Sequence, residues 1–281
     1  MKTLSQRLIY ARQYLSGVLG RRIRFAGSYT SWADAEASST GYHFEAILSK
    51  TLIAARKVKE GKAVFERDGV AFKNTQYNFP LIWALTRAAV RYGRLHVLDF
   101  GGGLGSIYFQ SRKLLHDCTK DLKWCVIEQS AHVEAGEKEF GSGELVFRES
   151  IEAACNEERY DVLILSGVLQ YLPDPAGFLK SSLSKKFPSV ILDRTPFMEN
   201  GLARLTIQYV PKWIYPASYP AWFFSEKELL AHFSNNYDRI AEWSALDKHH
   251  PEGGRAQYKG FILELSTQNR SAQHGNGTLS R

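Results

Sequence analysis

Short apolar runs of strand length alternate with amphipathic segments through the middle of the chain. Leu95–Phe100 and Lys123–Glu128 are the first two runs, and a segment with helical spacing follows each of them. Such an alternation is typical of a mostly parallel sheet with helices on both faces. The pattern therefore predicts an α/β fold of the doubly wound type. Further strands are expected at Glu144–Phe147, Tyr160–Ser166 and Ser189–Asp193, and helices at Ser106–His116, Ala131–Phe140 and Ala176–Ser184.

Helical spacing also dominates the residues before Leu95. Apolar side chains recur every three or four residues across 3–19, and further helices are expected over Tyr42–Glu60 and Asn78–Tyr92. We expect these helices to cover one side of the sheet as an N-terminal helical cap.

The regular alternation ends after the fifth strand. The stretch Thr195–Phe224 is rich in aromatic residues and proline, and we interpret it as an aromatic insertion without regular order. A helix is expected at Ser225–Phe233. Strands near Arg239–Trp243 and Gln257–Leu265 are expected to close the chain as an antiparallel edge hairpin.

These elements predict three segments. Residues 1–92 form the basic helix and helical cap, and residues 93–265 form the sheet domain with its insertion at about 195–224. The polar segment 266–281 is expected to be a disordered tail.

Composition places the chain among ordinary globular proteins. It has 281 residues, of which 44% are hydrophobic and 23% charged, enough for one sizeable core. Apolar runs fall short of the roughly eighteen residues that a membrane-spanning helix needs, and the N-terminus lacks a secretory pattern. Cys118, Cys125 and Cys155 form no paired motif and are expected to be reduced thiols. We therefore expect a cytoplasmic protein.

The net charge of +7 is concentrated at the N-terminus. No acidic residue precedes Asp34, whereas six basic residues do, and the remainder is nearly neutral. A nearly neutral body argues against a general nucleic-acid binder. The basic helix over 3–19 has three interpretations that the sequence leaves open: contact with an anionic membrane surface, a cover or dimer contact near the active site, or a solvated charged face. Its composition also resembles a transit peptide.

The most informative segment runs from Val97 to Gly105. A strand ends at Phe100, the chain turns on several glycines, and a helix begins, so that backbone N–H groups face a ligand. A dinucleotide fold favours Gly-x-Gly-x-x-Gly, but Ser106 occupies its third glycine position. The pattern Asp-x-Gly-x-Gly-x-Gly is matched in full by Asp99, Gly101, Gly103 and Gly105. An acid at this place suits a cationic ligand and would repel a diphosphate.

This loop resembles motif I of the class I S-adenosylmethionine-dependent methyltransferases. The segment Asp161–Pro175 is similar to the region that follows the fourth strand in that superfamily, with Gln170-Tyr171 in place of a histidine-containing step. The resemblance implies a Rossmann-like, seven-stranded, mostly parallel sheet whose last strand is antiparallel. It also implies S-adenosylmethionine as cofactor, with Glu128 on the ribose hydroxyls and Glu149 near the adenine. The expected cofactor-binding residues are Asp99, Gly101, Gly102, Gly103, Gly105, Glu128, Gln129, Glu149, Ser166 and Gln170.

A closer resemblance covers most of the chain. It is carried by Ser28–Trp32, Gly41-Tyr42, Glu66–Asp68, Leu98–Gly102, Leu169–Leu172, Asp193–Phe197 and Ser218–Trp222. Together these segments resemble a bacterial family of predicted methyltransferases that are often associated with surface-polysaccharide gene clusters. The resemblance implies a sugar or glycan acceptor and leaves the methylated atom open.

The acceptor should bind outside the carboxyl ends of the strands, beside the glycine loop. Arg194, at the end of the fifth strand, is a candidate to bind an anionic or sugar acceptor. The aromatic rings of the insertion have two interpretations: they stack on a sugar acceptor, or they form a hydrophobic cap over the cofactor. The candidate acceptor-binding residues are Tyr42, Tyr171, Arg194, Tyr219 and Trp222.

The general base is not singled out by the sequence. His249 and His250 lie in the loop between the last two strands, and His43 and Asp193 are further candidates. The residues show no ligand cluster, so we expect no metal.

The sequence as a whole predicts an S-adenosylmethionine-dependent methyltransferase. The preferred interpretation of its reaction is O-methylation of a sugar or glycan in cell-surface polysaccharide synthesis. N- or O-methylation of a small natural product is the enzymatic alternative. A non-catalytic cofactor-binding scaffold and a nicotinamide-dependent oxidoreductase are rivals of other classes. The oligomeric state is left open.

Overall fold

The computed structural model describes residues 22–41, 44–67, 69–74 and 76–266. The predicted helix over 3–19, Tyr42, His43 and the tail from residue 267 lie outside the described residues. The strands are β1 (Arg24–Tyr29), β2 (Phe65–Arg67), β3 (Val70–Phe72), β4 (Leu95–Phe100), β5 (Leu122–Ile127), β6 (Leu145–Arg148), β7 (Val162–Ser166), β8 (Ser189–Met198), β9 (Arg204–Val210), β10 (Ala217–Phe223), β11 (Tyr237–Ser244) and β12 (Ala256–Leu265). The helices are α1 (Trp32–Ala37), α2 (Phe44–Lys59), α3 (Phe79–Tyr92), α4 (Ser106–Leu115), α5 (Ser130–Glu139), α6 (Ile151–Glu157), α7 (Pro175–Leu183) and α8 (Glu226–Ala231).

In the described part of the chain, seven strands form one Rossmann-like sheet in the order β6-β5-β4-β7-β8-β12-β11. β4 to β8 pair in parallel, and β12 pairs antiparallel with both β8 and β11. The predicted α/β doubly wound sheet with an antiparallel last strand is confirmed. The last two strands form the expected hairpin, with β12 inserted beside β8 and β11 at the edge.

Alternating apolar side chains place a core on each face of this sheet. Leu98, Leu163 and Leu192 pack on one face and are fully buried. Val97, Ile164 and Ile191 pack on the other and are equally buried. Strands covered on both faces have no need of polar positions, which is why these runs are almost entirely aliphatic.

Helix boundaries follow local capping chemistry. Asn78 Oδ1 accepts the backbone N–H of Leu81 at the start of α3, and Gly93 ends that helix with φ 69°. The left-handed conformation costs little free energy at a glycine, so the chain can turn directly into β4. The expected helices over Tyr42–Glu60 and Asn78–Tyr92 are thus found at nearly the expected bounds.

The aromatic insertion is ordered, in contrast to the expectation for Thr195–Phe224. β8 continues to Met198, and β9 and β10 join β1 in a second sheet of order β1-β9-β10. Pro220 lies in β10, an edge strand, where its missing N–H leaves the ladder intact. Phe25 of β1 and Phe223 of β10 pack edge to face, with ring centroids 5.0 Å apart.

The region before β4 contains more than helices. β2 and β3 form a small antiparallel hairpin between α2 and α3. No helix among the described residues is long and apolar enough to cross a membrane.

Candidate functional site

The site lies where the strand order of the large sheet reverses. From β4 the chain proceeds outward to β5 and β6, and it then returns to place β7 on the other side of β4. The loops after β4 and β7 therefore diverge and leave a crevice at the carboxyl ends of these strands.

The glycine loop after β4 is packed too tightly for side chains. A Cβ at Gly101, where φ is 72°, would approach Val168 Cγ2 to 2.6 Å. A Cβ at Gly102 would stand 2.6 Å from the carboxyl group of Asp99. The loop can therefore contact both Asp99 and the chain after β7 only because these positions are glycines.

Asp99 lies beneath this loop and is fully buried. Its Oδ2 accepts the indole N–H of Trp124 at 3.2 Å, whereas Oδ1 has no hydrogen-bond partner among the described residues. Burial raises the pKa of Asp99 to about 7; the Trp124 indole opposes that rise, and the charge of Glu128 adds to it. Asp99, predicted to bind the cofactor, thus lies behind the glycine loop, on the protein side of the crevice.

Glu128 follows β5 and is tied to the same loop. Its Oε1 accepts the backbone N–H of Gly103 at 3.2 Å, and its Oε2 accepts that of Gln129 at 3.0 Å. A carboxylate offers about four lone-pair directions, so both oxygens keep capacity for a ligand.

Two adjoining cavities occupy the crevice, with volumes of about 200 Å³ and about 660 Å³. Both cavities are lined by Gly101, Glu128, Arg194 and Tyr215, which therefore lie where the two cavities meet. The larger volume lies within the range of about 300–1,000 Å³ typical of ligand pockets. Asp99, Gly102, Gly103 and Ser166 also line the smaller cavity, and Gln129, Glu149 and Gln170 line the larger one. Gly105 lines neither of these cavities; it is the N-cap residue before α4, with φ 85°, and packs near Leu145.

Asp193, a predicted base, is a buried hydrogen-bond acceptor midway along β8. Within the described residues its carboxylate accepts from Asn78 Nδ2 (2.9 Å), Ser166 Oγ (3.0 Å) and Trp243 Nε1 (3.1 Å). Burial raises the pKa of Asp193, and the charge of Arg194 and these donors oppose the rise. The carboxylate thereby joins β7, β8, β11 and the start of α3 at one point.

Arg194 forms a two-pronged ion pair with Asp247. Its Nε donates to Asp247 Oδ2 at 3.0 Å and its Nη2 to Asp247 Oδ1 at 3.2 Å. The backbone of Arg194 has φ 51°, a left-handed conformation that costs about 1–2 kcal/mol for a residue with a side chain. Strain of this kind concentrates at functional sites.

A chain of hydroxyl and amide groups also lines the larger cavity. Tyr171 Oη donates to Gln208 Oε1 at 2.7 Å, and Gln208 Nε2 donates to Tyr219 Oη at 3.1 Å. Tyr215 Oη lies 3.3 Å from Tyr219 Oη. Trp222, expected beside them, is instead packed with the core and lines neither of the two cavities within the described residues.

The candidate histidines occupy different surroundings. His249 lines the larger cavity, with its ring 5.8 Å from that of Phe25. His250 Nδ1 accepts the backbone N–H of Ala256 at 3.1 Å, and burial lowers the pKa of His250. His250 is absent from the walls of both cavities as the described residues form them.

Sequence reasoning missed Asp247, Gln208 and Tyr258, all of which line the larger cavity. Gln208 lies in β9, a strand that the pattern did not predict. Tyr258 lies in β12, and the sequence did not indicate which face of that strand borders the site. The pairing of Asp247 with Arg194 spans 53 residues, and no local signal indicates it. The described part of the chain contains no group of three or more His, Cys, Asp or Glu side chains placed to hold a metal ion.

Solved structures with a similar fold include several methyltransferases. The N-terminal domain of EvdMO1, crystallised in the presence of SAH and D-fucose, is 14% identical over 75% of this chain and 95% of its own, with a TM-score of 0.48. MtfA, a glycopeptide N-methyltransferase complexed with S-adenosyl-L-homocysteine (SAH), is 15% identical over 65% and 90%, with a TM-score of 0.43. CalS10, an amino pentose methyltransferase from Micromonospora echinaspora, is 10% identical over 69% and 93%, also at 0.43. No protein-family model and no curated protein matches the sequence.

Proposed function

We propose that the protein is an S-adenosylmethionine-dependent methyltransferase. One observation carries this proposal: the acidic glycine loop and Glu128 meet at the strand-order reversal and line one continuous crevice. Gly103 N–H donates to Glu128 Oε1 at 3.2 Å, so the loop and the acid are held as a unit.

The charges of this crevice suit a cationic ligand. Asp99 has an unpartnered buried Oδ1 among the described residues, and Glu128 keeps free acceptor capacity beside it. A third carboxylate, Glu66, accepts the hydroxyl of Ser106 at the first residue of α4. In a dinucleotide fold the pyrophosphate occupies that helix N-terminus, where Glu66 would repel it. The residues thus fit an ammonium- and sulfonium-bearing cofactor better than a nicotinamide dinucleotide.

S-adenosylmethionine would supply an electrophilic methyl group. It would be held by the predicted residues that line the two cavities, and Gly105 would shape the loop. These lining residues are Asp99, Gly101, Gly102, Gly103, Glu128, Gln129, Glu149, Ser166 and Gln170. The remaining task of the protein is to orient an acceptor and to receive its proton.

We infer that the acceptor is a sugar or glycan and that the reaction is O-methylation. The support is the larger cavity, whose wall combines rings with hydroxyl, amide and charged groups, as in Tyr171, Tyr219 and Arg194. The resemblance to a polysaccharide-associated bacterial family favours a cytoplasmic enzyme of surface-glycan synthesis, with the basic N-terminal segment at the inner membrane face. The alternative acceptor, a small natural product, would bind in the same cavity.

Calorimetric titration with S-adenosylmethionine and SAH tests the proposal. We expect micromolar binding by the wild type and binding weakened about 10-fold or more in Glu128→Gln, because a charged acceptor is lost. Glu134→Gln, an exposed acid on α5, is the matched control and should bind like the wild type. A folded wild type that binds neither compound would refute the proposal. A protein that binds both yet releases no SAH with any glycan or small-molecule acceptor would be the non-catalytic scaffold.

A further inference from the structure

Asp247 is linked to the glycine loop through Val168, Gly167 and Arg194. Gly101 packs on Val168, and a Cβ at the neighbouring Gly167 would be 3.6 Å from Arg194 Cζ. Arg194 in turn holds both carboxylate oxygens of Asp247. Since Arg194 lines both cavities and Asp247 lines the larger one, the pair lies where the two cavities meet.

Each oxygen of Asp247 receives one hydrogen bond from Arg194, at 3.0 Å and 3.2 Å. An ionised carboxylate accepts about four hydrogen bonds, so about two acceptor directions remain. The side chain is 13% exposed and lines the larger cavity, as well as a third, smaller one of about 130 Å³. A ligand hydroxyl in the larger cavity can therefore donate to a carboxylate that is already held in one orientation.

Asp247 is ionised at neutral pH. Burial favours its neutral form, but the charge and hydrogen bonds of Arg194 and the charges of Arg67 and His249 outweigh burial and hold the pKa of Asp247 below its usual value. The titratable groups around it come from several elements: Arg67 of β2, Arg194 of β8, His249 of the same loop and Tyr258 of β12. Tyr258 is almost completely buried, and burial raises the pKa of its hydroxyl well above 10.

We propose that Asp247, positioned by Arg194, binds a hydroxyl group of a polyhydroxylated ring and accepts its proton during methyl transfer. This inference rests on the proposed function. The ring would lie in the larger cavity, which Asp247 and the Tyr171–Gln208–Tyr219 chain both line.

The acceptor oxygen bonds to the methyl carbon as the carbon–sulfur bond breaks, the bond's electron pair stays on sulfur, and the hydroxyl proton passes to Asp247. The positive charge on sulfur and the negative charge on Asp247 are both lost, so the step is balanced. An oxygen that is gaining a third bond becomes strongly acidic, which is why a carboxylate of low pKa suffices as the acceptor.

His249 is the rival base on the same wall, and pH separates the two. Ring binding through Asp247 should be constant between about pH 5.5 and 8.5, because its pKa lies below that range. Ring binding through His249 would require a neutral imidazole, so it should weaken toward the acid end of that range.

The test uses the full chain saturated with SAH and three probes: the methyl α-glycosides of D-glucose, D-galactose and D-mannose. Ligand-observed NMR measures their binding, with tetrahydropyran as a ring that lacks hydroxyls. We expect at least one glycoside to bind, with a dissociation constant about 10- to 100-fold weaker in Asp247→Asn. SAH affinity should be unchanged. Glu252→Gln, which removes the ion pair of Glu252 with Arg24 from the same loop, is the matched control and should bind like the wild type.

The outcomes distinguish this inference from the proposed function. Loss of SAH binding by the wild type overturns both. Three results overturn the role of Asp247 alone: SAH binding without glycoside binding, equal glycoside affinity in Asp247→Asn and wild type, or wild-type glycoside binding that weakens as the pH is lowered toward about 5.5. The pH profile needs no variant, so it decides the question even if Asp247→Asn does not fold.

Discussion

Replacing Asp99 by Asn should remove a pH-dependent loss of stability. Asp99 is fully buried, and burial raises its pKa to about 7, whereas an unfolded aspartate titrates near 3.9. Between these values the native state holds a proton that the unfolded state has released. The free energy of unfolding therefore falls as the pH rises through this window.

The size of the effect follows from the pKa values. One unit corresponds to about 1.4 kcal/mol, and about two units of the window lie between pH 5 and pH 7. Ionisation of Asp99 should thus cost the wild type about 2–3 kcal/mol between pH 5 and pH 8, a cost that Asp99→Asn escapes. Asparagine keeps an oxygen to accept the Trp124 N–H. Any pH-independent change in stability that the substitution causes cancels when the free energy of unfolding of each protein is compared between the two pH values.

Urea denaturation of both proteins at pH 5 and pH 8 measures this difference. Asp117→Asn, whose side chain is 95% exposed, is the control and should follow the wild type at both values. Parallel stabilities of Asp99→Asn and wild type at the two pH values would refute the assignment of a raised pKa. S-adenosylmethionine should narrow the difference, because a cation beside Asp99 favours its ionised form.

Three further expectations concern the same region. Gly101→Ala and Gly103→Ala both place alanine at positive φ, at a cost of about 1–2 kcal/mol. Gly101→Ala should lose a further 1–3 kcal/mol or so in urea denaturation because its Cβ meets Val168, whereas no atom lies within 4 Å at Gly103; equal losses would contradict the packing. Trp243→Phe removes a donor from buried Asp193 and should lower the free energy of unfolding by about 1–3 kcal/mol, most at pH values where Asp193 is ionised. EDTA should leave SAH release unchanged, and restoration of lost activity by a divalent cation would contradict a metal-independent reaction.

The strand–loop–helix unit around Asp99 was predictable because its causes are local. Buried parallel strands require consecutive apolar residues, and the turn into α4 requires glycine where no Cβ fits. Both requirements are visible in Leu95–Gly105, and β4 and α4 were found at or within a residue of their expected bounds.

The second sheet was not predictable because its signals conflict. Pro220 argues against a strand, and aromatic residues on both faces of Ala217–Phe223 obscure the alternation that would identify one. β10 forms because β9 offers it a partner along its whole length, and β1 comes from nearly two hundred residues earlier in the chain.

Local sequence patterns were enough to predict the sheet class, the glycine loop and the acid after β5, since periodicity and backbone geometry act over a few neighbouring residues. Local patterns could not predict that Asp99 lies behind the loop, that Asp193 is enclosed by donors, or that Asp247 pairs with Arg194 beside the larger cavity. These properties depend on burial and on contacts between distant segments. Charge, pKa and accessibility are therefore set by the assembled fold, and the chemistry of the acceptor side is decided there.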